Sequence, residues 1–198
     1  RLHGRAGHAL AQGSPAASTR SCFPAAMTET LHYPIRLDRA AITALLPHRA
    51  PLQLLQRAEV LAHDHYTGLA CWSEDDPVLA GHFPGCAIVP GALLLEAAAQ
   101  LAGAGLLAGD PVARAIGPGH LGMLTGIRKA WFKRPVLPSE QVHFTLHCRR
   151  MGEKAVLASC TATVDGQEAA TLEFTVSHVP AESLQHVIPA EKLAALTG

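Results

Sequence analysis

The sequence predicts an α+β fold, with an antiparallel β-sheet wrapped around one long central helix. Three observations carry this. Residues 87–108 are the most apolar stretch of the chain, yet Glu96 and Gln100 interrupt them. Residues 121–177 read as successive strands whose apolar and polar residues alternate. A sheet with one apolar face needs a cover for that face, and the apolar helix is the available one.

Taken in order, Ala40–Leu46 reads as a short helix ended by Pro47. Leu52–Leu61 and Tyr66–Trp72 read as two strands around a His63-Asp64-His65 turn. The long helix starts at Pro90-Gly91 and stops at Gly109-Asp110-Pro111. Its length invites a membrane reading, but Glu96 at the centre of a bilayer would cost about 2.5–3.5 kcal/mol. Basic flanks are missing, with Asp76 before it and Asp110 after, so the helix belongs inside a soluble domain. Leu121–Phe132 follows as a bulged strand, then Gln141–Arg149. Val156, Ala158, Cys160, Ala162 and Val164 alternate with polar neighbours up to Asp165-Gly166, a strong hairpin signal. Ala170, Leu172, Phe174 and Val176 alternate beyond it.

The domain therefore spans 27–180. Residues 181–198 form a C-terminal extension in which Ile188–Leu196 reads as a short helix with no assigned function. Residues 1–26 are rich in Ala, Gly, Ser, Pro and Arg and lack apolar periodicity. They read as a disordered tail or a non-native extension, with Met27 as the natural start. Their acid-free, Arg- and Ser-containing composition also fits a transit peptide.

Composition narrows the function. Hydrophobic residues make up 48% of the chain and charged residues 16%, enough apolar material for a core. Formal net charge is zero: Arg1, Arg5 and Arg20 give the first 26 residues +3, and the remaining 13 bases and 16 acids give −3. That balance argues against nucleic-acid or membrane-surface binding. The five cysteines are odd in number and include no C-x-x-C pair, which fits free thiols in a reducing compartment such as the cytoplasm. His143 and His147 on one strand would stand roughly 13 Å apart, too far to share an ion. His63 and His65 read as solvated turn residues, so no metal and no cofactor are expected.

The chemistry sits in Gly81-His82-Phe83-Pro84-Gly85 and in the helix start that follows. Gly81, Pro84, Gly85, Pro90 and Gly91 impose a tight irregular backbone around one histidine. Glu96 then appears about one and a half turns into an apolar helix, where a carboxylate is rarely buried without a partner or a task. Free N–H groups at Gly91 and Ala92 would favour negative charge developing before the helix, as in an oxyanion site. Gln100, one turn past Glu96, could orient its carboxylate. From the residues alone, His82 could equally be a hydrogen-bonded loop histidine and Glu96 an exposed helix residue.

Gly-His-Phe-Pro-Gly, five residues, then Gly-x-x-x-x-Glu-x-x-x-Gln resembles the active-site segment of the 3-hydroxyacyl-(acyl-carrier-protein) dehydratases of fatty-acid synthesis. Leu46-Pro47-His48-Arg49 and Phe132-Lys133-Arg134-Pro135-Val136 resemble two further family segments, so the likeness covers about residues 42–178 in order. The resemblance implies a hot-dog fold with paired sites at a dimer interface, assembled as a homodimer or a trimer of dimers. It implies reversible dehydration of 3-hydroxyacyl thioesters, linked to acyl carrier protein or coenzyme A, to trans-2-enoyl thioesters. His82 of one subunit would take the C2 proton and Glu96 of the other would protonate the departing C3 hydroxyl. The Gly91 amide would polarise the thioester carbonyl, with Phe83, Pro84, Val89, Gln100 and Gly103 lining the substrate site and Gly105 also shaping its tunnel. Burial is expected to raise the Glu96 pKa toward neutrality.

Glutamate rather than aspartate at 96 places the chain nearer the plain dehydratases than the isomerising branch. Gln56, Cys86 and Ser139-Glu140 depart from the common family residues and suggest a specialised pathway. Lys133 and Arg134 are the candidate docking residues for an acidic carrier protein, ahead of Arg128, Lys129, Arg149 and Arg150. The rival readings are a hot-dog acyl thioesterase, which the same fold can host, and a non-catalytic acyl-binding subunit.

Overall fold

A computed structural model describes residues 30–117 and 119–197, so the expectations for residues 1–26 lie outside the described residues. Among the described residues, seven strands form one antiparallel sheet: β1 (Ile35–Asp38), β2 (Leu55–Ala62), β3 (His65–Ala70), β4 (His120–Phe132), β5 (Val142–Arg150), β6 (Ala155–Val164) and β7 (Gln167–Pro180). Their spatial order is β1-β2-β3-β5-β6-β7-β4, which leaves β1 and β4 as the edges. The described residues also form the α-helices α1 (Arg39–Leu45), α2 (Gly91–Gly109), α3 (Pro111–Ile116) and α4 (Ala190–Thr197).

The sheet is built by alternation. On β5, Val142, Phe144 and Leu146 are buried while His143, Thr145 and His147 face out. On β7, Leu172, Phe174 and Val176 point to the same interior. Asp165 (φ 49°) and Gly166 (φ 76°) join β6 to β7, both left-handed as a tight two-residue hairpin requires. α2 lies in the concavity with Leu94, Ala97, Ala98, Leu101 and Leu106 buried against the strands. Helix α2 has the length and apolarity to cross a membrane, but 61% of its apolar window is buried inside the protein. Each fully buried leucine contributes about 1.5–3 kcal/mol on leaving water.

Small residues set how closely the helix approaches the sheet. A Cβ at Gly105 would lie 2.3 Å from the Tyr66 ring, so this glycine admits the ring and does not shape a tunnel as expected. Asp110 caps α3 by accepting from Val112 and Ala113 (2.7 and 2.9 Å), and its second oxygen pairs with Arg150.

Three short elements, β1, α3 and a 3-10 turn at Ala181–Leu184, were not anticipated. His65 is another correction. It opens β3, stacks on His147 with ring centroids 3.9 Å apart, and has a buried Nε2. Burial and the neighbouring His147 hold its pKa below the usual histidine value, unlike a solvated turn residue. Residues 31–198 form one compact unit in which the C-terminal segment packs with the sheet.

Strand β4 has β7 as its one neighbour in the sheet and carries the most exposed apolar surface. Ile127, Trp131 and Phe132 are 55%, 62% and 49% exposed. Large apolar side chains along an unpaired edge form a template for another strand.

Candidate active site

His82 is held by a short loop folded back on itself. Pro84 and Gly85 (φ 78°) occupy the centre of a type II turn in which the Phe83 and Cys86 amides and carbonyls bond reciprocally, at 3.1 and 2.9 Å. Ile88 N–H donates to the His82 carbonyl at 2.8 Å, and His82 Nδ1 lies 2.9 Å from the Ile88 carbonyl. A carbonyl can only accept, so Nδ1 carries the proton and the neutral ring leaves its lone pair on Nε2. Phe83, 55% exposed, stacks on the imidazole with centroids 4.3 Å apart, and Pro84 is exposed in the turn.

The helix start is held from the other side. Val89 N–H donates to the Val136 carbonyl at 2.8 Å, and Val89 is 3% exposed. It is a core residue that anchors the loop. Pro90 precedes α2 with no side-chain cap, so the Gly91 and Ala92 N–H groups have no acceptor among the described residues. A Cβ at Gly91 would lie 2.8 Å from the Phe132 ring, so this glycine admits an aromatic side chain of β4.

Glu96 lies on a stripe of α2 that the sheet leaves partly open, with Ala99, Gly103 and Leu107 following at helical spacing. The stripe borders a cavity of about 160 Å³, closed by Leu46, Pro47 and His48 at one side and by β4, β7 and Leu196 at another. Gln100 Nε2 donates to Glu96 Oε1 at 2.8 Å and to the Leu52 carbonyl at 2.6 Å, while Gln100 Oε1 accepts from Leu54 N–H at 3.0 Å. Gln100 is 2% exposed, and its bonds to the Leu52 and Leu54 backbone hold the amide that donates to the carboxylate. His48 Nε2 lies 3.3 Å from the same Oε1, which leaves Oε2 without a partner among the described residues.

These contacts reverse the expected pKa shift. The hydrogen bond from His48 is the largest influence, and with Gln100 it outweighs burial and holds the Glu96 carboxyl below its ordinary value. Burial acts in the anticipated direction, but both donors bind the charged form. His48, quoted in the sequence only as part of a family segment, is thus a contact of Glu96 that sequence reasoning missed. Its signal was its place beside Pro47 at a helix end, which does not reveal a partner 48 residues on.

No hydrogen bond or ion pair joins His82 to Glu96 among the described residues, and His82 does not line the cavity that Glu96 borders. The docking candidates are also engaged. Lys133 Nζ pairs with Glu168 at 2.6 Å. Arg134 grips Glu140 through two nitrogens (3.3 and 3.0 Å), and Glu140 accepts from Leu137 N–H at 2.8 Å. Arg134 thereby holds the loop after β4 through Glu140. Among the described residues no three His, Cys, Asp or Glu side chains converge as a metal site.

An apolar helix lying in an antiparallel sheet is the hot-dog arrangement, here with a loop histidine just before the helix and a carboxylate on its open stripe. Residues 46–173 match the family described as the FabA-like domain. The chain is 36% identical over 138 residues to the 3-hydroxyacyl-(acyl-carrier-protein) dehydratase FabZ of Halorhodospira halophila, covering 69% of this chain and 89% of that protein. It is 33% identical to the FabZ of Acinetobacter baylyi, covering 74% and 97%. The dehydratase heterocomplex ApeI:P from Xenorhabdus doucetiae superposes with a TM-score of 0.61 at 20% identity, over 75% of this chain and 97% of that one, and shares the fold. The chain belongs to the FabA-like family, as a FabZ-like member of it.

Proposed function

We propose that the protein catalyses the reversible dehydration of 3-hydroxyacyl thioesters, linked to an acyl carrier protein or coenzyme A, to trans-2-enoyl thioesters. The observation that carries the reading is the presence of both proton-transfer groups within the matched span. His82 has its Nε2 lone pair uncovered by the Nδ1–Ile88 contact, and Glu96 has one oxygen uncommitted.

The thioester carbonyl accepts from the Gly91 and Ala92 amides at the start of α2, which stabilise the enolate-like charge as the C2 proton leaves. His82 Nε2 takes that proton. Glu96 Oε2 gives its proton to the C3 hydroxyl, the C3–O bond breaks, and water departs as the C2–C3 double bond forms. One proton thus resides on the pair throughout, starting on Glu96 and ending on His82. Hydration runs the same steps backwards. The depressed Glu96 pKa favours the carboxylate form, the one that activates water for hydration.

The pair is assembled across two subunits. A second copy seated on the β4 edge would cover Ile127 and Trp131 and bring the partner loop to the open stripe of α2. We place the enzyme in the cytoplasm, as a homodimer or as dimers assembled further.

Supplying purified protein with a 3-hydroxyacyl thioester and, separately, a saturated acyl thioester tests the reaction. Enoyl absorbance from the first without thiol release from the second is expected. Thiol release without enoyl product would identify a thioesterase instead.

A further inference from the structure

The cavity beside Glu96 has a polar far end. Its inner walls are apolar, from Leu106, Leu107, Val176 and Leu196. The inward-facing residues of β7 run Leu172, Phe174, Val176 and then His178, so a histidine stands where the pattern calls for an aliphatic side chain. His178 is 8% exposed, and its Nε2 is buried with no partner among the described residues. Its nearest charged influences are Arg150, His120 and Asp110, the last directly after the C-terminal end of α2. Glu96 lies near the other end of that helix. From Glu96 to Leu107 the helix rises about 16 Å.

His120, at the start of β4, borders the same cavity. Lys154 Nζ lies 3.3 Å from His120 Nε2, and an ammonium can only donate. The neutral His120 ring therefore carries its proton on Nδ1, which is also buried without a partner among the described residues. Across the sheet, His178 pairs in register with Gly122, whose missing side chain leaves open space. Buried polar nitrogens almost always hold a partner. Here two of them belong to residues that border one end of a single cavity, and a third, His48 Nδ1, belongs to a residue at its Glu96 end.

We infer that the far end of this cavity recognises an uncharged oxygen function, a hydroxyl or keto group, carried on the acyl chain away from the thioester. A hydroxyl can accept from His120 Nδ1–H and donate to an imidazole lone pair. A carboxylate is disfavoured by the apolar walls, and burial, with Arg150 and His120, holds His178 toward its neutral form. The substrate class is thus a functionalised acyl thioester in preference to a plain alkyl one. This inference rests on the dehydratase reading of the same cavity.

The test compares 3-hydroxyacyl thioesters of equal length, an unsubstituted parent and isomers bearing a second hydroxyl at successive positions toward the tail. For one isomer, kcat/KM for enoyl formation should exceed the parent's by about tenfold or more, since a site built to bond a hydroxyl discriminates against its absence. His178→Leu should bring that ratio to about one, and His178→Gln, which keeps a hydrogen-bonding group, should restore part of it. The wild-type ratio is itself decisive and needs no variant to fold. Efficient dehydration of the parent with no isomer preferred would overturn the inference and leave the dehydratase reading standing. No enoyl product from any of these thioesters would overturn both.

Discussion

Replacing Gln100 by leucine tests how the carboxylate is held. The side chains are similar in volume and the position is 2% exposed, so packing changes little while three hydrogen bonds vanish. Leu54 N–H, on a residue 5% exposed, loses its acceptor. An orphaned buried donor costs about 1–3 kcal/mol. The Leu52 carbonyl costs less, because Leu52 is 49% exposed and water can replace the amide. The lost bond to the half-exposed Glu96 carboxylate adds about 1 kcal/mol after screening. The sum is about 2–4 kcal/mol, which at a urea m-value of about 1–3 kcal/mol/M lowers the midpoint by roughly 1–2 M. A second readout separates positioning from stability. Gln100 is one of two donors that depress the Glu96 pKa, so its loss should move the acid limb of the pH profile of kcat/KM upward. A midpoint within 0.3 M of wild type (about 0.5 kcal/mol) and an unmoved acid limb would refute the reasoning.

His48→Asn removes the largest cause of the depressed Glu96 pKa and should shift the same limb further upward than Gln100→Leu does. In linkage terms the depressed carboxyl stabilises the fold above its unfolded pKa, and that contribution is lost as pH falls through the folded value. Acid unfolding of the His48 variant should accordingly be less steep through the carboxylate range. Gly105→Ala places a methyl group 2.3 Å from the buried Tyr66 ring and should cost about 1–3 kcal/mol or more in urea titrations, with the pH profile unchanged. Ile127→Lys on β4 should yield a monomer by sedimentation, and that monomer should be inactive.

Much of the fold was legible because periodicity states burial directly. The β6–β7 hairpin, with its Asp165-Gly166 turn, announces itself in alternation and turn chemistry, as does the helix through Leu93–Leu107. Short elements were not legible: β1 has four residues, too few for a period, and its existence depends on pairing with β2. In the candidate site, residues placed by their own loop or helix turn could be singled out, namely His82, Glu96 and Gln100. Residues that act through distant contacts could not. His48 reaches Glu96 across the fold, and the polar cavity end joins His120 to His178 through β4–β7 pairing. Arg134 looked like a free cation because sequence shows charge but not the Glu140 oxygens that neutralise it.

The claim that His82 and Glu96 meet across subunits is tested most directly by mixing two inactive proteins. His82→Ala and Glu96→Gln chains are unfolded, combined in equal amounts and refolded together. In a hybrid dimer one site receives an intact His82 from one chain and an intact Glu96 from the other. Random pairing makes half the dimers hybrid, each with one working site, so about a quarter of wild-type dehydratase activity should return. If each site were built within one chain, every site in the mixture would lack a proton-transfer group, and activity would stay at the level of the separate variants.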